Sequence, residues 1–378
     1  MCEETECPVL TTKEQLMLYK NLLRPILFSL FDDPETAHEK VSASLEWLCR
    51  HPRLLQGVAD YFVVQDSRLH QSLLGMTFPN PLGLAAGMNK TGTAIDAWNA
   101  FGFGFQEIGC VVPLPQPGNA RPRIKRIVEE RALINSMGFN SPGVEEVAEN
   151  ISIGRQSFWQ PLGANIGKNK ETPNTRAVDD YVKVAAALAG LVDFFVVNVS
   201  SPNTPNLRDL QDKVLLREIL VAVQETLRSA PVRRPVLVKV SPDLANNVFE
   251  DIAMVVTDAN AEGVVATNTT IDHSGYLEAP KAKGGKSGPL LKKRALEVVT
   301  LLRSLLPDRL IMGVGGIETG KDAAAFIRAG ADLVQIYTSF VYGGPSTPRS
   351  ILSELLEIME LEGWTMRTRR RESAAALP

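Results

Sequence analysis

The chain has 378 residues, 44% hydrophobic and 22% charged, with 28 Gly and 24 Pro, a balance that excludes disordered, collagen-like and fibrous proteins and fits a globular enzyme. Lys and Arg number 40 against 43 Asp and Glu, a net charge of −3, so no electrostatic footprint for nucleic acid is expected and a small or neutral partner is favoured. Cys2, Cys7, Cys49 and Cys110 show neither zinc spacing nor the density of a disulfide framework, which predicts a reducing compartment and no metal site.

Residues 1–12 are acidic, lack the pattern of a signal peptide and read as a flexible N-terminus, so a cytoplasmic location is expected. Residues 13–66 read as two amphipathic helices. In the first, Leu16, Leu22, Leu23, Ile26, Leu27 and Leu30 fall at three- and four-residue spacings, while Lys20, Asn21 and Arg24 keep the stretch short of the ~20 apolar residues that span a bilayer. Asp33 as N-cap and Pro34 in the first turn open the second, with Ala37, Val41, Leu45 and Leu48 predicted on one stripe. The pair is either a hairpin packed on the core or a foot on a membrane surface.

Residues 67–362 form the main domain. Leu69–Met76 and Thr77–Pro79 predict a short hairpin that plugs the bottom of this domain. Eight apolar runs come next, each followed by a helical pattern: 80–87, 105–112, 161–167, 193–200, 235–241, 263–269, 310–317 and 333–339. Continuous rather than alternating apolar runs suit parallel strands buried on both faces, and eight of them predict an α/β fold, the (β/α)8 TIM barrel. A doubly wound sheet fits less well, because no strand is followed by a GxGxxG opening a helix. Residues 363–378, with Arg367, Arg369, Arg370 and Arg371, read as a basic, disordered tail.

A barrel keeps its active site at the C-terminal strand ends. Here those ends carry Asn89 and Lys90, Cys110, Asn165 and Lys168, Asn198 and Ser201, Lys239, Thr267 to Thr269, Gly315 and Gly316, and Tyr337 and Thr338. So many amides, hydroxyls and ammonium groups at one mouth exceed what core satisfaction explains, since each unpaired one costs ~1–3 kcal/mol. The glycines after the seventh run, with Thr338 after the eighth, suit a phosphate held by backbone N–H groups. Lys239 requires a negative or acceptor partner, either a reduced flavin or a carboxylate.

Several longer motifs occur in order: Leu84-Ala85-Ala86-Gly87, Asn135-Ser136-Met137-Gly138-Phe139-Asn140, Gly167-Lys168-Asn169-Lys170, Asn198-Val199-Ser200-Ser201-Pro202-Asn203-Thr204-Pro205, Ala266-Thr267-Asn268-Thr269-Thr270 and Val314-Gly315-Gly316-Ile317. Over about residues 19–360 the chain resembles the dihydroorotate dehydrogenases. Ser201 and the N-terminal helices resemble their quinone-reducing, membrane-associated class. The resemblance implies an oxidoreductase of pyrimidine synthesis. FMN would be held by Ala86, Gly87, Cys110, Asn165, Asn198, Lys239, Thr267, Ser287, Gly288, Gly315, Gly316, Tyr337 and Thr338. Dihydroorotate would meet Lys90, Asn135, Gly138, Phe139, Asn198, Asn203, Asn268 and Thr269. These types suit a planar carboxylated pyrimidine, with amides for the ring edges and Lys90 for the carboxylate.

By the same resemblance Ser201 is the base that removes the C5 proton, with Thr204 and Phe139 shaping its proton relay. His38 and Arg126 line the path of a membrane quinone, and the enzyme attaches peripherally to the cytoplasmic face of a membrane. The plain alternative for His38 is a solvated helix histidine. The chain departs from the family pattern at Cys110, Asn89, Val112, Lys125, Lys286 and Asn206. Two competing readings are a flavin-free, phosphate-binding barrel isomerase and a non-catalytic membrane-surface protein that kept the fold. Nothing in the helices is expected to reach the strand ends that hold Asn198, Ser201 and Lys239, so removing them should spare the flavin and dihydroorotate sites.

Overall fold

The structure is a computed structural model, and it describes residues 19, 21, 24–230, 232–274 and 283–368. The expected flexible N-terminus, Leu16, Leu22, Leu23 and residues 369–378 of the basic tail lie outside them, as does the side chain of Leu27.

In chain order the helices α1 (Arg24–Leu30), α2 (Pro34–Cys49) and α3 (Pro52–Phe62) precede the strands β1 (Gln71–Leu73), β2 (Met76–Phe78), β3 (Leu82–Leu84), β4 (Phe105–Val111), β5 (Ile124–Ile127) and β6 (Ala132–Asn135). Then come β7 (Leu162–Ile166), β8 (Phe194–Asn198), β9 (Val236–Val240), β10 (Gly263–Ala266), β11 (Gly285–Ser287), β12 (Leu310–Val314) and β13 (Leu333–Ile336). Eight strands close a parallel barrel in the order β3-β4-β7-β8-β9-β10-β12-β13, with β13 pairing back onto β3. Each lies within one of the eight apolar runs. Almost every residue in them is buried, as strands covered on both faces require.

The hairpin β1–β2 is antiparallel, with Gln71 opposite Phe78. Its Leu73 and Phe78 join Phe105, Phe194, Val196, Leu237 and Met312 in one cluster inside the barrel, so the plug is real. Rings and glycines interlock there: Phe78 packs edge-on against Phe105, centroids 5.5 Å apart. A Cβ on Gly83 would lie 2.3 Å from the Phe105 ring, and one on Gly163 2.2 Å from that of Phe194. Burying each phenylalanine is worth about 1.5–3 kcal/mol.

Three features were not expected. The strands β5, β6 and β11 form an antiparallel sheet that roofs the barrel mouth. A third N-terminal helix, α3, buries Leu55 and Ala59 and sets Phe62 edge-on to Phe101, 5.6 Å away. Packing also continues past 362, where Trp364 and Met366 are buried, so residues 363–368 are not a loose tail.

Asp33 caps α2 as expected, accepting from the N–H groups of Glu35 at 3.2 Å and Thr36 at 3.0 Å, a device worth about 1 kcal/mol. The predicted stripe of α2 is only partly right: Leu45 is buried, but Val41 is exposed, and the first turn instead buries Glu35. The reason is electrostatic, because Arg123, just before the strand β5, meets that carboxylate. Tyr19 and Arg24 reach across to the far end of the chain, donating to the carbonyls of Val341 at 3.2 Å and Tyr342 at 3.3 Å. Ile26, Leu30, Val41 and Trp47 point outward. Among the described residues no helix is long and apolar enough to cross a membrane.

Candidate active site

The mouth of the barrel opens into a cavity that is continuous with solvent. Its floor is a set of strand-end side chains fixed by one buried carboxylate. Glu107, on β4 and fully buried, receives hydrogen bonds from Asn165 at 2.6 Å, Gln335 at 2.7 Å and Lys239 at 3.3 Å. Sequence reasoning missed Glu107, although an acid inside a continuous apolar run was itself the signal. The partner expected of Lys239 is therefore a carboxylate of this chain, while its ammonium still faces the cavity.

From that hub the polar chain runs on: Asn198 donates to Asn165 at 2.8 Å, and the Asn198 Oδ1 accepts from Ser200. Asn268 donates to the Ser200 hydroxyl at 2.9 Å, and Tyr181 donates to the Asn198 carbonyl at 2.9 Å. Ser200 and Tyr181 were also missed. Both ends of each of these amides are thus committed to neighbours, which fixes their orientation where they line the cavity.

Around the floor the cavity wall is formed by Ala86, Gly87 and Lys90 after β3, by Cys110 on β4, and by Thr267, Asn268 and Thr269 after β10. Gly315 and Gly316 follow β12, and Tyr337 and Thr338 follow β13. Gly316 has φ +73, and a Cβ there would sit 2.7 Å from Lys292, so only glycine brings this backbone to the rim. The roof contributes Asn135, Gly138, Phe139, Ser287 and Gly288. Thr338 donates to the Ser287 hydroxyl at 2.7 Å, which ties roof to floor. Next to it the Ser339 hydroxyl is buried without a partner among the described residues. Such a group fits a phosphate oxygen.

Ser201 and Asn203 line the cavity on the loop after β8. The Ser201 hydroxyl accepts the Asn203 N–H at 3.3 Å, and Asn203 donates to Asn135 at 2.9 Å. Thr204 does not line the cavity; its hydroxyl is buried beneath the loop with no partner among the described residues. The loop bends at Asn206, with φ +57, a conformation asparagine tolerates. Two expected strand-end groups turn away. Asn89 is a satisfied core amide, donating to Thr93 O at 2.9 Å. Lys168 donates to the carbonyl of Thr172 at 2.7 Å. The odd lysine of the roof strand, Lys286, is buried and reaches the His273 carbonyl at 3.4 Å.

Burial pushes the Lys90 ammonium down to about 8, against the pull of Glu35. It drives the Cys110 thiol well up, with Glu107 adding to it, so that side chain is a neutral filler at the wall. His38 and Arg126 stand outside the cavity. Arg126, on β5, lies 4.2 Å over the Phe28 ring and donates to Phe31 O at 2.9 Å. His38 is half-buried on α2. Burial first, and Lys90 second, push its pKa down to about 4, so it is not a solvated helix histidine. No described residue of the N-terminal helices lines the cavity, while the Glu35 carboxylate of α2 acts on Lys90 and Tyr337 through its charge.

Residues 68–359 match the family model described as dihydroorotate dehydrogenase. A relative from Thermus thermophilus, a dihydroorotate dehydrogenase (quinone), is 47% identical over 341 residues, covering 89% of this chain and 96% of the relative. One from Chloroflexus aurantiacus with the same name is 43% identical over 357 residues, 91% of this chain and 98% of its own. Among solved structures, that of an Eimeria tenella DHODH in complex with ferulenol superposes with a TM-score of 0.81 at 34% identity, covering 91% of this chain and 97% of that one.

Proposed function

The chain belongs to the dihydroorotate dehydrogenase family, and from that premise we propose how its cavity works. The protein oxidises dihydroorotate to orotate in pyrimidine synthesis and passes the electrons to a quinone. FMN, when bound, supplies the hydride acceptor for C6 of the substrate. Its ring would lie against Lys239, Asn165, Asn198 and Cys110, with Ala86, Gly87, Thr267 and Tyr337 around it. Its phosphate would meet the glycines after β12 together with Ser287, Gly288 and Thr338.

The chain's own groups do the rest. Lys90 pairs with the substrate carboxylate, and Asn135, Asn198, Asn203, Asn268 and Thr269 bind the amide edges of the ring. Gly138 and Phe139 close the roof over it and exclude water. The Ser201 hydroxyl takes the C5 proton as general base, and its own proton leaves by way of Thr204, whose buried hydroxyl has no other partner among the described residues, with Phe139 sealing that path. The quinone approaches between α1 and α2, where Arg126 and His38 supply polar contacts. The outward Ile26, Leu30, Val41 and Trp47 rest on the cytoplasmic face of a membrane.

The observation that carries this reading is the Glu107 hub, which aims an ammonium and two amides into one cavity at the strand ends. Anaerobic mixing of the purified protein with dihydroorotate should bleach a bound flavin, and added quinone should restore its colour. A colourless protein that takes up no FMN would sink the reading.

A further inference from the structure

Residues 117–123 run between the N-terminal helices and the roof, with contacts on both sides. On the outer side Arg123 grips Glu35 of α2 through Nη2 to Oε1 at 2.7 Å and Nε to Oε2 at 3.0 Å. Both side chains are buried. Arg121 approaches the same carboxylate at 3.2 Å. The remaining arm of Arg123, Nη1, donates to the carbonyls of Pro117 at 2.5 Å and Asn119 at 2.7 Å. On the inner side the Asn119 amide donates to Ser136 O at 2.9 Å and Asn203 O at 3.0 Å, and its N–H to Met137 O at 2.9 Å. Asn203 in turn holds Asn135 and the Ser201 hydroxyl.

Hydrogen bonds thus connect a carboxylate on α2 to the Ser201 loop without a gap. The packing leaves no slack, since a Cβ on Gly138 would lie 2.7 Å from Asn119 and one on Gly118 2.4 Å from Met137 O. A bidentate arginine fixes a plane as well as a distance, and apolar contact alone could anchor a helix more cheaply than a buried ion pair.

We propose that Glu35 is a positioning residue for dihydroorotate oxidation, holding through Arg123 and Asn119 the loop that carries Asn203 and Ser201. This rests on the function and the Ser201 role given above. The helices that admit quinone therefore also set the geometry of the other half-reaction. Glu35 acts on Lys90 as well. The charged or titratable groups facing Lys90 are Glu35, Glu39, Arg121, Arg123 and His38, and Glu35 is the one acid among them that is buried.

The test uses the full-length holoenzyme with Glu35→Gln, Asn119→Ala and the double variant. Each single change should slow anaerobic flavin reduction by dihydroorotate about ten- to a hundredfold, as small misplacements do, and weaken orotate binding measured by calorimetry. Reoxidation by a small soluble quinone should stay at the wild-type rate. The double variant should be no slower than the slower of the two single variants, because both break one series. For Glu35→Gln the pH at which orotate binding falls off should also move down, because Lys90 loses a negative neighbour. A purely structural role would lower the unfolding midpoint, leave that pH in place and give additive effects, and this outcome overturns the proposal. So do wild-type reduction rates and orotate affinities in both variants. If the wild-type flavoprotein itself is not bleached by dihydroorotate, the functional reading fails instead.

Discussion

Ser201 is the residue on which the chemistry turns, and its environment sets what its loss should do. Its hydroxyl is held by a backbone N–H rather than by a charged partner, so Ser201→Ala should leave FMN bound and slow flavin reduction by ~10²–10⁴-fold, the usual cost of losing a general base. Ser201→Cys should recover part of the rate; alanine bleaching at the wild-type rate would reassign the base. Lys239 carries two burdens, because it also neutralises Glu107. Lys239→Ala should therefore lower the flavin-to-protein ratio and destabilise the fold by about 3–5 kcal/mol, the cost of stranding a buried charge; an unchanged urea midpoint would contradict this. Lys90, held near 8, should lose its charge as pH rises through that value, so orotate affinity should fall above pH 8 and persist to higher pH in Lys90→Arg. Most of these residues were legible in the sequence, because a polar group ending an apolar run has few other uses. Glu107 stood out only as an acid inside an apolar run, and its role could not be read there, since it depends on a lysine 132 positions away.

At the scale of elements, continuous apolar runs announced the eight barrel strands, and the plug read as a short hairpin ahead of them. The roof escaped notice because its strands are partly polar, as in Ile124-Lys125-Arg126-Ile127 and Gly285-Lys286-Ser287; β11 pairs with β6 across some 150 residues, a partnership no local pattern announces. The plug should be costly to damage: Phe78→Ala should lose about 3–5 kcal/mol in urea unfolding, and a loss below ~1 kcal/mol would mean the hairpin is not packed as described. Helix α2 should respond to acid. His38 has an ordinary pKa of 6.5 and a folded one of about 4, so between those values the unfolded segment binds a proton that the folded one refuses, and stability drains away as pH falls. Burial raises the Glu35 pKa, but Arg123 outweighs it and holds the group below the ordinary 4.5; its contribution is lost lower still. Hydrogen exchange across residues 34–49 should therefore accelerate between pH 7 and pH 5 relative to the barrel, with the difference reduced in His38→Leu. Equal protection at both pH values would refute it.

For the molecule as a whole, the helical segment is not one detachable piece. Helix α3 covers Phe101, and Arg349 donates to the Tyr61 carbonyl, so a chain beginning near Leu69 would bare part of the barrel wall. A chain beginning at Pro52 keeps that cover and loses α1, α2 and Glu35. It should bind FMN, fail to be reoxidised by a long-tailed quinone while still accepting a short one, stop sedimenting with liposomes, and reduce its flavin more slowly than the full chain. Full activity with the long-tailed quinone would make α1 and α2 a packing appendage.

The contacts of Tyr19 and Arg24 with Val341 and Tyr342 also bear on how the protein is made. Tyr19 waits for a partner 322 residues further on, roughly 15–65 s of synthesis at ~5–20 residues per second. Strand β3 likewise cannot complete its pairing until β13 has emerged. These N-terminal turns thus leave the ribosome long before the residues that cover them, a long exposure that follows from contacts so distant in sequence. The nascent chain should need a chaperone, or the membrane itself, to shelter those helices until the barrel closes.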